Sequence, residues 1–161
     1  MLEEYSALIN KWASTYGVPV SWVKAVIMTE SSGNPDAYRA EPAIGDASYG
    51  LMQLLYRTAK GLGYTGDPSG LYDPDTNIQL GTKLIGQIRQ NVGDDYVRMY
   101  SAYNSGNPDK YLTSSTVQQH VNNAVKWLEE AITEEPMIAS TGAISAVLVV
   151  MLLVYWKRGR K

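Results

Sequence analysis

The chain has 161 residues, 14 Lys+Arg against 16 Asp+Glu and a formal net charge of −2, enough length for one domain with a sizeable core. With no cysteine and one histidine, it excludes disulfides and thiolate metal sites and leaves no basis for a His-rich metal centre or a Ser-His-Asp triad. No P-loop or dinucleotide glycine motif occurs, so no cofactor and no metal are expected.

In chain order, Leu2, Tyr5, Ile9, Trp12 and Tyr16 recur at steps of three or four and stop at Gly17, which predicts a first helix. Pro19 separates it from a second, for which Ser21 is the expected cap, Trp22 the first residue and the Ser31–Pro35 run the stop. Val23, Val26 and Ile27 share one face of that helix, and Glu30 projects into the middle of the same stripe. A carboxyl placed where burial is predicted is paired, protonated or functional, and position alone does not choose among the three. Burial raises a carboxyl pKa, which is what a general acid working near neutral pH requires.

Residues 34–49 read as a loop carrying Arg39, Glu41 and Asp46, and Ser48 to Lys60 as a further helical stretch broken by Gly61 and Gly63. Asp73-Pro74-Asp75 is the cap and first turn expected of a helix running through Ile78, Leu84, Ile85 and Ile88 to Gly93. Asp94-Asp95 opens the next, with Tyr96, Val97, Tyr100 and Tyr103 inward, and a last long helix from about Ser115 to Ile132 buries Val117, Val121, Val125 and Leu128. His120 lies beside that stripe and reads as a surface or edge residue.

The two ends differ in character. Acidic Glu3 and Glu4, with no apolar stretch behind them, predict no cleaved signal. Residues 137–156 form an uncharged run of 20 residues followed by Lys157, Arg158, Arg160 and Lys161. At 1.5 Å per residue that run spans about 30 Å, so a single transmembrane helix is expected there, with Tyr155 and Trp156 at the interface and a basic tail, 157–161, on the cytoplasmic side. Small residues Ala139, Ser140, Gly142, Ala143 and Ala146 on it offer a face for self-association. The residues ahead of the run keep ten positive against sixteen negative charges, an acidic balance that argues against a nucleic-acid partner. The expected organisation is a catalytic domain over 1–133, an acidic link over 134–136, the membrane helix and the tail.

Four stretches follow one another at a telling spacing: Glu30-Ser31-Ser32-Gly33-Asn34-Pro35-Asp36-Ala37; Ser48-Tyr49-Gly50-Leu51-Met52-Gln53; Leu71-Tyr72-Asp73-Pro74 with Asn77-Ile78 and Gly81; and Ala102-Tyr103-Asn104-Ser105-Gly106. Over about Ser21 to Leu128 they resemble the soluble lytic transglycosylases, a family of peptidoglycan-cleaving enzymes related in fold to goose-type lysozyme. The resemblance implies an all-α, lysozyme-like domain that cleaves between N-acetylmuramic acid and N-acetylglucosamine, with Glu30 as the catalytic glutamate. It implies that Ser48, Tyr49, Gly50, Leu51, Met52 and Gln53 line the glycan cleft with Tyr103 and Asn104, and that Tyr103 stands close enough to orient Glu30. The chain departs from the family where Arg39 replaces a frequent serine and where Arg39-Ala40-Glu41-Pro42 and Tyr49 fill the loop.

The expected function is therefore a membrane-anchored peptidoglycan lytic transglycosylase that leaves 1,6-anhydro-muramic ends. Its partners are glycan strands and, through 137–156, a lipid bilayer, either a bacterial inner membrane facing the wall or the membrane of a phage particle. One alternative is a lysozyme-type hydrolase in which Glu41 or Asp46 is the second carboxylate that positions a water. Another is a non-catalytic tether that binds wall glycan.

Overall fold

The computed structural model describes residues 2–134; the expected membrane helix, its small-residue face and the basic tail lie outside them. Among the described residues no helix is long and apolar enough to cross a membrane.

Helix α1 (Ser6–Tyr16) follows a short 3-10 turn over Glu3–Tyr5 and ends on Gly17, whose φ of 63° lets the Val18 amide return to the Ala13 carbonyl at 2.9 Å. Helix α2 (Val20–Ser31) starts two residues before the expected point, with Pro19 rather than Ser21 at the cap. Ser21 is buried inside the first turn, where the Pro19 carbonyl receives the amides of Trp22 and Val23. Val23, Ala25, Val26 and Ile27 are all fully buried, so α2 is apolar nearly all round and runs through the middle of the domain, packed on α1 and on two later helices.

The largest departure from the sequence reading lies between α2 and the next long helix. A three-stranded antiparallel sheet stands there in place of a loop followed by a helix, so the domain is mostly helical rather than all-α. Its strands are β1 (Tyr38–Glu41), β2 (Asp46–Tyr49) and β3 (Leu54–Leu55), with Tyr38 opposite Tyr49, Glu41 opposite Asp46 and Ser48 opposite Leu55. A helix from Ser48 to Lys60 fails because Gly50 (φ 71°) and Gln53 (φ 45°) are both left-handed, which an α-helix does not tolerate. Only α3 (Tyr56–Gly61) remains of it.

Helix α4 (Pro74–Val92) starts as expected, the Asp73 carboxylate accepting from the Thr76 amide at 2.9 Å with Pro74 at the first helical position. Helix α5 (Tyr96–Ser105) is capped in the same way by Asp95, which accepts from the Arg98 amide at 3.0 Å. Helix α6 (Ser115–Glu134) lays Val117, Val121, Ala124, Leu128 and Ala131 against α2 and α5, while Val125 and His120 are half-buried. Among the described residues, one apolar cluster joins the six α-helices and the sheet.

Asp46 shows what fastens the sheet to α3. Its Oδ1 accepts from the Ala47 amide at 2.8 Å, and its Oδ2 accepts from the Arg57 amide at 3.1 Å and the Arg57 Nε at 3.2 Å. The Arg57 guanidinium also donates to the Ile44 carbonyl. Burial alone would raise the Asp46 pKa, but these hydrogen bonds and the adjoining guanidinium hold it below the usual carboxylate range. A depressed carboxyl gives stability that is present above its unfolded pKa and lost as pH falls through its folded one. Asp46→Ala should therefore cost about 1–2 kcal/mol at neutral pH, and the difference from the parent should vanish in strong acid; thermal unfolding at the two pH values checks this.

Candidate active site

Glu30 occupies the last turn of α2, which Ser32 ends in a left-handed conformation (φ 54°) that returns its amide to the Met28 carbonyl at 3.2 Å. The next hydroxyl, Ser31 Oγ, donates to the Leu51 carbonyl at 2.7 Å and so ties the end of the helix to the Gly50–Gln53 turn. Glu30 is half-buried, with part of its surface reaching solvent. Its Oε1 accepts from the Tyr100 hydroxyl at 2.6 Å.

Burial raises the Glu30 pKa above the ordinary glutamate range; the Tyr100 hydrogen bond and the positive charge of Arg39 offset part of that rise. Burial and the facing Glu30 charge likewise push the hydroxyls of Tyr96, Tyr100 and Tyr103 upward, so all three stay protonated at any physiological pH. The rings form a stack along α5, Tyr100 lying 6.3 Å from Tyr96 on one side and 6.3 Å from Tyr103 on the other.

The hydroxyl that holds Glu30 thus belongs to Tyr100, one helical turn before the Tyr103 expected to orient it. Tyr103 instead donates to the Met52 carbonyl at 2.7 Å and holds the turn against α5. The sequence carried a usable signal: Tyr96, Tyr100 and Tyr103 follow at steps of four and three, and a hydroxyl on each buried ring needs an acceptor.

Most of the Ser48–Gln53 stretch shapes this region from beneath rather than lining it. Ser48, Leu51 and Met52 are 2%, 0% and 0% exposed, so their side chains belong to the core and not to a sugar-contacting surface. Tyr49 and Gln53 are half-buried. Tyr49 packs edge-on between Tyr38 and Tyr72, at 5.5 and 5.6 Å, and Gln53 Nε2 donates to the Ala37 and Gly50 carbonyls at 3.0 and 3.1 Å. Asn104 is half-buried and its amide has no hydrogen-bond partner among the described residues, which leaves it free to meet a ligand.

A residue not singled out as functional holds the turn in place. Asn77, fully buried on α4, accepts from the Met52 amide at 2.8 Å and donates to the Tyr49 and Leu71 carbonyls at 2.9 and 2.7 Å. Gly50 leaves the room for it: a Cβ there would stand 2.5 Å from both Asn77 Nδ2 and the Leu71 carbonyl. Gly81 does the same for the thioether of Met52, 2.3 Å from where its Cβ would be.

Neither proposed second carboxylate is idle. Glu41 is ion-paired with Arg39 at 2.6 Å, and both oxygens of Asp46 are occupied by Ala47 and Arg57. Among the described residues no group of acidic or histidine side chains could hold a metal ion.

The family described as Transglycosylase SLT domain matches residues 7–128. The membrane-bound lytic murein transglycosylases C of Yersinia pestis (strain Pestoides F) and Yersinia pseudotuberculosis (serotype O:1b, strain IP 31758) are each 34% identical over 117 residues, covering 64% of this chain and 31% of the relative. The chain thus spans about a third of the length of these curated relatives. Among solved structures, an inactive mutant of the lytic transglycosylase Slt from Pseudomonas aeruginosa superposes with a TM-score of 0.69 at 24% identity, over 80% of this chain and 24% of that one. The 70 kDa soluble lytic transglycosylase of Escherichia coli gives 0.57 at 27% identity, over 81% of this chain and 21% of that one, and its complex with bulgecin A gives 0.56 at 26%.

Proposed function

The chain belongs to the transglycosylase SLT family, and from that premise we propose that it cleaves the glycan of peptidoglycan with Glu30 as the proton-transferring group. The observation that carries this reading is a carboxyl whose burial raises its pKa, held by a buried hydroxyl, on a residue that is only half-buried as a whole. Neutral Glu30 protonates the glycosidic oxygen between muramic acid and glucosamine, and the C1–O bond breaks. Ionised Glu30 then takes the proton of the muramic C6 hydroxyl as that oxygen bonds to C1, closing a 1,6-anhydro ring and restoring the acid. No water is consumed.

Such a route needs one carboxyl, because the substrate supplies the nucleophile, whereas an ordinary glycosidase needs two. The engagement of Glu41 by Arg39 and of Asp46 by Arg57 and Ala47 favours it over a lysozyme-type hydrolysis. Digestion of purified peptidoglycan followed by mass spectrometry tests the reading: anhydro ends lack one water relative to the reducing ends of a hydrolase. Binding of wall material with no release of fragments would instead indicate a tether.

The pH profile follows from the direction of the Glu30 shift. Cleavage requires the protonated acid, so a raised pKa carries activity past the ordinary glutamate range before it declines toward alkaline pH. Rates of fragment release across pH 4 to 9 check this; a decline centred at the value of a free glutamate would contradict it.

The anchor belongs to the same proposal. Residues 137–156 would fix the domain to a bilayer and limit cleavage to nearby wall, in a bacterial inner membrane or in a phage particle that opens the wall locally on entry. Fractionation that finds the protein in neither membranes nor particles would remove that part alone.

A further inference from the structure

The geometry points to Tyr100 as a positioning residue that assigns different tasks to the two oxygens of Glu30: Oε1 is the held oxygen, and Oε2 is the one that delivers and recovers the proton. The inference deepens the function proposed above and rests on it for its catalytic consequence.

Tyr100 is fully buried, and its hydroxyl has a single partner among the described residues, Glu30 Oε1 at 2.6 Å. A buried hydroxyl hydrogen without an acceptor costs the full desolvation of that group, so the Tyr100 hydrogen has to point at Oε1. Were the acid proton of Glu30 also on Oε1, the phenol would donate to an acid hydroxyl oxygen, a weaker acceptor than the carbonyl oxygen that this short contact calls for. The proton of neutral Glu30 therefore resides on Oε2. After transfer, Oε1 keeps its strong donor while Oε2, now an uncommitted lone pair, accepts from the C6 hydroxyl.

The groups facing Glu30 divide cleanly. From α5 come the hydroxyl of Tyr100 and, through space, the rings of Tyr96 and Tyr103; from β1 comes Arg39, whose Nε is paired with Glu41. Of the three tyrosines, Tyr100 alone touches the carboxyl, because Tyr103 is committed to the Met52 carbonyl and the Tyr96 hydroxyl lies 3.5 Å from the Ala124 carbonyl. Removing the Tyr100 hydroxyl takes away a donor that favours the ionised form, so the Glu30 midpoint moves up and the alkaline limb of activity moves with it.

The test uses the full chain. Tyr100→Phe keeps the ring and the stack and should lower kcat about ten- to hundredfold, with KM within about twofold of the parent and the alkaline limb displaced upward. Tyr103→Phe should leave that limb in place. In parallel, 13C-labelled glutamate followed by NMR reads the Glu30 midpoint directly, expected higher in Tyr100→Phe and unchanged in Tyr103→Phe. Should Tyr100→Phe fail to fold, site-specific 3-fluorotyrosine at position 100, a stronger donor of nearly the same shape, should move the midpoint down. An unmoved midpoint in these variants, or an equal shift from Tyr103→Phe, overturns the inference. A parent that titrates as described but releases no glycan fragment would refute the proposed function and leave the Tyr100–Glu30 linkage standing.

Discussion

Glu30→Gln should reduce fragment release by at least about a hundredfold, toward the ten-thousandfold limit of general acid–base catalysis, and do so in a folded protein. The amide keeps the carboxyl's shape and an oxygen that still accepts from Tyr100, but it has no proton to give and no basic oxygen to receive one. The stability side of this result separates a lost acid from a broken fold. A carboxyl with a raised folded pKa binds its proton more tightly when folded, so the parent loses stability as pH rises from the unfolded glutamate value through the folded one. The variant carries no such penalty. Its thermal midpoint should match the parent at acid pH, where Glu30 is neutral in both states, and equal or exceed it at pH 8. A folded variant that retains most of the cleavage removes Glu30 from the chemistry.

The second large effect is structural. Asn77→Ala leaves the Met52 amide and the Tyr49 and Leu71 carbonyls without their buried partner, at about 1–3 kcal/mol each, out of a total stability of about 5–15 kcal/mol for an ordinary domain. We expect a loss of at least about 3 kcal/mol in denaturant unfolding, with activity falling alongside because the same turn carries the Leu51 and Met52 carbonyls that receive Ser31 and Tyr103. Gly50→Ala reaches the same contact from the other side, since its new methyl would collide with the Asn77 amide and with the Leu71 carbonyl at a left-handed φ. The two substitutions break one junction, so the double variant should be less destabilised than the sum of the singles. Strict additivity would show that Gly50 and Asn77 act independently.

What the sequence made legible follows from how local the causes are. The starts of α4 and α5 were readable from Asp73-Pro74 and Asp95 because a cap is made by neighbours three residues apart. The sheet was not, since its decisive events are left-handed backbone at Gly50 and Gln53 and a buried amide at Asn77, more than twenty residues further on. Glu30 was legible as a carboxyl on an apolar face. For its partner the resemblance marks Tyr103, while the reach from α5 to the end of α2 selects Tyr100, one turn away. The resemblance puts Leu51 and Met52 in the lining of the cleft, whereas their apolar character fits the full burial of their side chains.

The location of Glu30 at the tail of its helix has one more effect. Peptide dipoles in α2 add head to tail, leaving partial negative charge on the terminal carbonyls, at the end where this side chain emerges. An anion there is opposed by its own backbone, and a neutral acid is not. The direction in which the polypeptide runs through α2 therefore works with the surrounding apolar packing to keep hydrogen on this side chain; the same residue at the head of the helix, beside free amides, would give it up more readily.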